Sequence, residues 1–207
     1  MDVIVHTTPI KDLLVIEPRV FSDQRGWFLE AWQSQNYINI GIDRNFVQDN
    51  MSYSKYGTLR GLHMQSPAQG KLVQVIQGTI FDVAVDLRWS SDTFGKWYGL
   101  ILSDKNKKQF WIPEGFAHGF FVLSDTAIFS YKCTEYYNPK REFTLLWNDP
   151  DIGIDWPLDD FSFLVQKQVP FMDFKRSDST LYFSIPILSD KDAKGKKLSS
   201  LVKEDLD

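Results

Sequence analysis

The chain has 207 residues, 43% of them hydrophobic and 15% aromatic, which is material for a packed core and excludes a disordered chain. A formal net charge of −4 and a pI near 5.4 argue against a broad electrostatic footprint for nucleic acid. A single cysteine, Cys133, excludes an intrachain disulfide and a cysteine-based zinc centre, and only three histidines (His6, His63 and His118) are present for other chemistry.

Residues 1–9 carry no basic leader region, apolar segment or small-residue cleavage site. No run approaches the roughly 18 apolar residues that span a bilayer, so the expectation is a cytoplasmic chain with no membrane contact. Strands are predicted at 13–17, 46–52, 58–65, 71–77 and 79–88, with Tyr56-Gly57 and Gly78 as turn residues between them. In the last of these, Phe81, Val83, Val85 and Leu87 alternate with Asp82, Ala84 and Asp86, the period of two that marks a strand with one apolar face. Further strands are predicted at 96–102, 108–112, 119–123 and 127–133, each bounded by Gly, Pro, Asn, Asp or Ser. Strands about 8–12 residues apart predict an all-β sandwich or small barrel in one domain. The stretch at about 158–185 is aromatic but irregular and reads as a surface excursion or an extra hairpin. In the Lys-rich tail, Leu198, Leu201 and Val202 have the spacing of a short amphipathic helix over 192–205.

A barrel that held a divalent metal through His-x-His would lack its second ligand here, because the run reads His63-Met-Gln65. No Gly-x-Ser-x-Gly elbow and no Gly-rich phosphate loop is present, and Cys133, inside a predicted strand, reads as a structural thiol. Acid–base chemistry remains. His63 lies three residues after Arg60, and Lys71 opens the next strand, facing the same cavity if the two strands pair as a hairpin. With Tyr131 and Asp192 they form the set that proton abstraction beside a carbonyl needs: a base with its carboxylate, a cation for the enolate and a weak acid. Each has a bland alternative. His63 and Tyr131 can be ordinary strand residues, Lys71 a solvated charge, Asp192 a helix N-cap, and His118 a turn residue.

The longer motifs are Asp23-Gln-Arg-Gly26 with Phe28 and Glu30, Phe46-Val-Gln-Asp-Asn50, Leu59-Arg-Gly-Leu-His63 and Gln69-Gly-Lys-Leu-Val73. They continue with Trp111-Ile-Pro-Glu-Gly-Phe-Ala-His-Gly119, Gly153-Ile-Asp-Trp-Pro157 and Leu188-Ser-Asp-Lys-Asp192. In this order they resemble the dTDP-4-dehydrorhamnose 3,5-epimerases, and the resemblance implies a cupin-type jelly-roll β-barrel. It implies that His63 is the base at C3 and C5 of dTDP-4-keto-6-deoxyglucose, oriented by Asp192, that Tyr131 is the acid, and that Lys71 holds the enolate. Arg60 and His118 would surround the sugar and diphosphate. Arg25, Glu30, Gln48, Asp49, Asn50, Glu142 and Lys191 would hold the nucleotide, with Tyr136 or Tyr137 stacked on its base. The resemblance further implies a homodimer in which Arg25 and Glu30 serve the neighbouring subunit, a nucleotide-sugar substrate, and no metal or cofactor.

Three departures from the family pattern stand out. Met51 occupies a frequent histidine position. Gln74 occupies a frequent arginine position, where it is expected to remove a charge near the site. The connection at about 158–185 is an atypical insertion within the single domain. A monofunctional 3- or 5-epimerase of a related 4-keto-6-deoxysugar is the alternative enzyme. A sugar-nucleotide-binding protein without turnover and a 3,4-ketoisomerase are the more distant readings.

Overall fold

A computed structural model describes residues 3–158 and 186–206 of the chain. The strands run β1 (Val3–Thr7), β2 (Leu14–Pro18), β3 (Val20–Asp23), β4 (Gly26–Leu29), then, after helix α1 (Ser34–Ile38), β5 (Gln48–Lys55) and β6 (Leu59–Gln65). They continue as β7 (Lys71–Gln77), β8 (Thr79–Asp86), β9 (Trp97–Ser103), β10 (Gln109–Ile112), β11 (Phe116–Val122), β12 (Thr126–Cys133) and β13 (Glu142–Thr144). Two 3₁₀ turns (Asp192–Lys194 and Leu198–Ser200) and helix α2 (Lys203–Leu206) close the described chain.

The strands form a six-stranded sheet in the order β1-β2-β10-β7-β12-β5 and a five-stranded sheet in the order β13-β6-β11-β8-β9, with β3 and β4 as a separate hairpin. Neighbouring strands are antiparallel throughout both sheets. Val73, Phe110 and Phe129 of the larger sheet meet Ile80, Leu102 and Phe120 of the smaller one, so the main core lies between them. This is the jelly-roll sandwich the resemblance implies.

The strand β8 corrects the expectation of a single apolar face. All eight of its residues are buried. Phe81, Val83, Val85 and Leu87 pack under Trp156 and Leu201 on the outer side of the smaller sheet. Ile80 and Ala84 face the sandwich interior, so the alternating acids Asp82 and Asp86 are buried as well.

The hairpin expected between the strands of His63 and Lys71 does not form. β6 and β7 belong to different sheets. The connection between them is anchored on both sides: Ser66 N donates to Arg141 O at 3.1 Å, and Gly70 N donates to Thr134 Oγ1 at 2.8 Å. His63 and Lys71 therefore approach each other across the sandwich.

The tail also departs from the expected helix over 192–205. Leu146 N donates to Lys196 O and Lys196 N to Thr144 O, so the backbone here is held extended alongside the chain that follows β13. Leu201 reaches the core from the second 3₁₀ turn instead of from a helix face. The elements missing from the sequence reading are short or exposed: β1, α1, β13, and the hairpin β3–β4. The insertion at about 158–185 falls, beyond Leu158, outside the described residues. Among the described residues no helix is long and apolar enough to cross a membrane.

Candidate active site

Arg60 and His63 are three residues apart and would point to opposite faces of a regular strand. They line the same cavity because β6 carries one extra residue: His118 pairs with His63 and Phe120 with Arg60, which sets Gly61 and Leu62 of β6 against Gly119 alone of β11. Gly61 takes the bulge with φ +117°, in a place where a Cβ would lie 2.7 Å from Gly119 Cα and from the His118 carbonyl.

Asp192 reaches this strand from the first 3₁₀ turn. Its Oδ1 lies 2.6 Å from His63 Nε2, and its Oδ2 accepts from the Ser189 hydroxyl at 2.8 Å. The Asp192 side chain is 4% exposed and that of His63 27%, so the dyad is shielded at the acid and open at the base. Burial pushes the Asp192 carboxyl up, but the hydrogen bond and charge of His63 and the Ser189 hydroxyl outweigh it and leave the group below its ordinary value.

The opposite wall comes from β7 and β12, where Lys71 pairs with Cys133 and Tyr131 with Val73. Lys71 is buried, and among the described residues no carboxylate lies within ion-pair distance of it. Burial pulls its ammonium below the ordinary lysine range, against the opposing charges of Cys133, Glu142 and Asp82. Burial likewise raises the Tyr131 phenol to about 12, so it is protonated at neutral pH. His63, Lys71, His118, Arg60 and Tyr131 line one cavity of about 140 Å³, together with Ser52, Gly119, Phe120 and Phe129.

His118 is a strand residue rather than a turn residue, and its Nε2 is 3.0 Å from both carboxylate oxygens of the fully buried Asp82. Burial lowers the His118 imidazolium and raises the Asp82 carboxyl, so the ring is neutral at neutral pH.

A second polar group borders this cavity. Gln48 bonds Asn50 and accepts from Tyr137 N, and Asn50 bonds the buried Cys133 sulfur. Glu142 accepts from the Tyr137 hydroxyl at 2.7 Å and pairs with Lys191 at 2.8 Å. Burial raises the Glu142 carboxyl, and the bonds from Lys191 and Tyr137 bring it below its ordinary value. Tyr136 is exposed, and its carbonyl accepts from Gln65 Nε2.

Three expected nucleotide contacts lie elsewhere in the single chain. Asp49 alternates with Gln48 and Asn50, so it points away from the cavity and pairs with Lys132 at 2.9 Å. Arg25 pairs with Asp23 on the exposed β3–β4 hairpin, and Glu30 accepts from Asn36. Gln74 does not alter the cavity as expected. Lys71 and Val73 face inward, so Gln74 faces the other side of β7, where it accepts from Gln109. Met51 is exposed on the outer face of β5. Sequence reasoning missed Ser52, Asp82 and Ser189. The alternation of Gln48 and Asn50 extends directly to Ser52, and Asp82 stood in plain view within the period-two strand. Among the described residues no group of three or more His, Cys, Asp and Glu side chains could hold a metal ion.

The family model described as dTDP-4-dehydrorhamnose 3,5-epimerase matches residues 7–200. A dTDP-4-dehydrorhamnose 3,5-epimerase of Methanothermobacter thermautotrophicus is 55% identical over 153 residues, 73% of this chain and 83% of the relative. That of Salmonella typhimurium is 52% identical over 175 residues, 82% of this chain and 96% of the relative. Among solved structures, a dTDP-6-deoxy-D-glucose-3,5-epimerase of Legionella pneumophila in complex with dTDP-4-keto-L-rhamnose superposes with a TM-score of 0.85 and 45% identity, covering 99% of this chain and 97% of that one.

Proposed function

The chain belongs to the dTDP-4-dehydrorhamnose 3,5-epimerase family, and we propose that it inverts C3 and C5 of dTDP-4-keto-6-deoxyglucose to give dTDP-4-keto-L-rhamnose. The observation that carries this reading is the opposition of His63 and Tyr131. His63 stands on the smaller sheet with Asp192 bonded to it from the first 3₁₀ turn, the phenol stands on the larger sheet, and His63 and Tyr131 line one cavity. Inversion at carbon requires a proton to leave one face of the sugar and return to the other, which two groups on facing walls provide.

The C4 ketone acidifies the C–H bonds at C3 and C5, because the electron pair left behind delocalises onto the C4 oxygen. With Asp192 on Nε2, the favoured neutral tautomer of His63 carries its proton there and offers the Nδ1 lone pair as the base. The proton passes to His63, and negative charge develops on the C4 oxygen. Lys71, a buried cation with no carboxylate at ion-pair distance among the described residues, stabilises that oxygen. Tyr131 then donates its hydroxyl proton to the opposite face of the carbon, and exchange with solvent resets both groups. Positioned proton transfer of this kind contributes on the order of 10²–10⁴ in rate, and charge stabilisation supplies much of the remainder. No electrons are gained or lost, so the reaction calls for no redox cofactor.

Arg60 and His118 border the same cavity and are suited to the sugar and diphosphate. Gln48, Asn50, Tyr137, Glu142 and Lys191 form the adjoining polar group for the nucleotide. We assign Arg25 and Glu30 to the site of a second subunit in a homodimer. Exposed Trp27 and Phe28 on the hairpin that carries Arg25 support a subunit contact there. The chain is read as a single cytoplasmic catalytic unit. Incubation with dTDP-4-keto-6-deoxyglucose, a reductase and its nicotinamide cofactor, followed by NMR of the product, tests the reading. dTDP-L-rhamnose is expected. Product inverted at one carbon would reassign the chain as a 3- or 5-epimerase, and unchanged sugar configuration would refute epimerisation.

A further inference from the structure

We propose that Ser189 is a positioning residue of the catalytic dyad, holding the second carboxylate oxygen of Asp192 so that the first is aimed at His63. The proposal rests on the reading of His63 as the base. Among the described residues the Asp192 carboxylate has two side-chain hydrogen-bond partners, His63 on Oδ1 at 2.6 Å and Ser189 on Oδ2 at 2.8 Å. The direction of the serine bond is settled by chemistry. A carboxylate can only accept, so the hydroxyl proton goes to Asp192, while the serine oxygen accepts from Asp192 N at 3.1 Å. The hydroxyl is thereby held from both sides.

The local backbone gives Ser189 its leverage. Ile187 N donates to Gly57 O at 2.8 Å and Leu59 N donates to Ile187 O at 3.0 Å, which clamps this segment to the start of the strand that bears His63. Two residues after the clamp, the Ser189 carbonyl accepts from Ala193 N, closing the turn that presents Asp192. That turn has no side-chain cap at its first position, Lys191. A carboxyl group turns easily about its terminal bond, since such torsions are broad. Ser189 and Asp192 also line a surface groove of about 370 Å³ that they share with Arg60. Without the hydroxyl, Oδ2 would turn towards water in that groove and Oδ1 would lose its fixed bearing on His63. Ser189 is not in the lining of the catalytic cavity, so its removal should change turnover and leave substrate binding intact.

The test compares Ser189→Ala, Ser189→Thr, Asp192→Asn, the double variant Ser189→Ala/Asp192→Asn, and His63→Ala in steady-state kinetics. Thermal unfolding and ¹⁵N-correlated NMR of the His63 ring accompany the kinetics. Ser189→Ala is expected to fold with a melting temperature lowered by a few degrees at most, about 2–4 °C per kcal/mol, to lose roughly 10- to 100-fold in kcat, and to keep KM within about twofold, the scale of one hydrogen bond to a charged group. Its His63 Nε2–H resonance should move and broaden through faster exchange. Ser189→Thr, which retains the hydroxyl, should restore kcat to within about threefold of the parent. Because Ser189 acts through Asp192, adding Ser189→Ala to Asp192→Asn should change kcat by less than about twofold.

Parent-like kcat in Ser189→Ala would overturn the proposal. So would a loss confined to KM, a loss that Ser189→Thr does not repair, full additivity in the double variant, or an unfolded Ser189→Ala, which would make the serine merely structural. His63→Ala separates the two ideas. If it is inactive while Ser189→Ala matches the parent, the serine proposal alone fails. If it retains parental turnover, the base assignment itself fails.

Discussion

Replacing Asp192 with asparagine keeps the shape of the side chain and removes the charge bonded to His63, which is proposed to orient the ring. The bond between them is 2.6 Å long and the acid is almost fully buried, so it belongs to the charge-assisted class, worth about 1.5–3 kcal/mol net of water exchange. At about 1.36 kcal/mol per decade, its loss in the transition state predicts a fall in kcat of roughly 10- to 150-fold. The bare attraction between unit charges 2.6 Å apart is larger, about 6 kcal/mol at an effective dielectric near 20. The partial exposure of His63 and the desolvation of Asp192 offset much of that, which favours the smaller figure. Asparagine can also turn its amide donors towards the ring, stabilise the other tautomer and block Nδ1, which pushes the loss towards the upper end. The assay is steady-state kinetics with a coupled reductase, and kcat within about threefold of the parent would refute the orienting role. Stability follows a sign of its own. The folded pKa of Asp192 lies below its ordinary 3.8, so its contribution is present above that pH and is lost as pH falls through the folded value. The difference in melting temperature between parent and Asp192→Asn should therefore shrink on acidification below about pH 4; a difference that grows would contradict the linkage.

Three other substitutions follow from the same geometry. Lys71→Met removes a buried cation that has no carboxylate at ion-pair distance among the described residues, so it is expected to raise the melting temperature by about 2–4 °C per kcal/mol gained while lowering kcat by roughly 10²–10³. A lower melting temperature with retained turnover would contradict that role. Tyr131→Phe removes a phenol whose pKa is about 12 and should lower inversion by roughly 10²–10⁴ while exchange of the substrate proton through His63 persists; inversion at the parental rate, followed by NMR, would clear the tyrosine. Gly61→Ala puts a Cβ against Gly119 and the His118 carbonyl at positive φ. It should destabilise the fold by about 2 kcal/mol or more, read as a fall in melting temperature of about 4–8 °C, and parental stability would show that the bulge tolerates a side chain.

The sequence made the strands readable where side chains alternate, as in β7 and β8, because period two is a local property. It could not say which strands share a sheet. His63 and Lys71 are close in sequence and fall in opposite sheets, with the connection bonded at Ser66 to Arg141, just before β13 of one sheet, and at Gly70 to Thr134, just after β12 of the other. Alternation also left open what each face meets: the acids of β8 look like a solvent face and in fact line the interior, where Asp82 supports His118. Asp192 is 129 residues from His63, so their contact is a product of topology. In the sequence the two could be grouped only by the chemistry they might share, and it was the resemblance to a family that assigned Asp192 to orient His63. The bulge at Gly61 was written as a glycine inside a strand. Its consequence, that Arg60 and His63 share a face, became visible only from the register with β11. The Lys-rich tail shows the limit of helical spacing, because backbone bonds to the chain after β13 override it.

In the proposed mechanism His63 removes protons on both sides of the C4 ketone and Tyr131 returns them to the opposite face. Reaction of dTDP-4-keto-6-deoxyglucose in heavy water, followed by NMR at C3 and C5, is the decisive experiment for that division of labour. Deuterium is expected at both carbons with inversion in the parent protein and none above background in His63→Ala. Deuterium at one carbon only, or wash-in by His63→Ala at the parental rate, would contradict it.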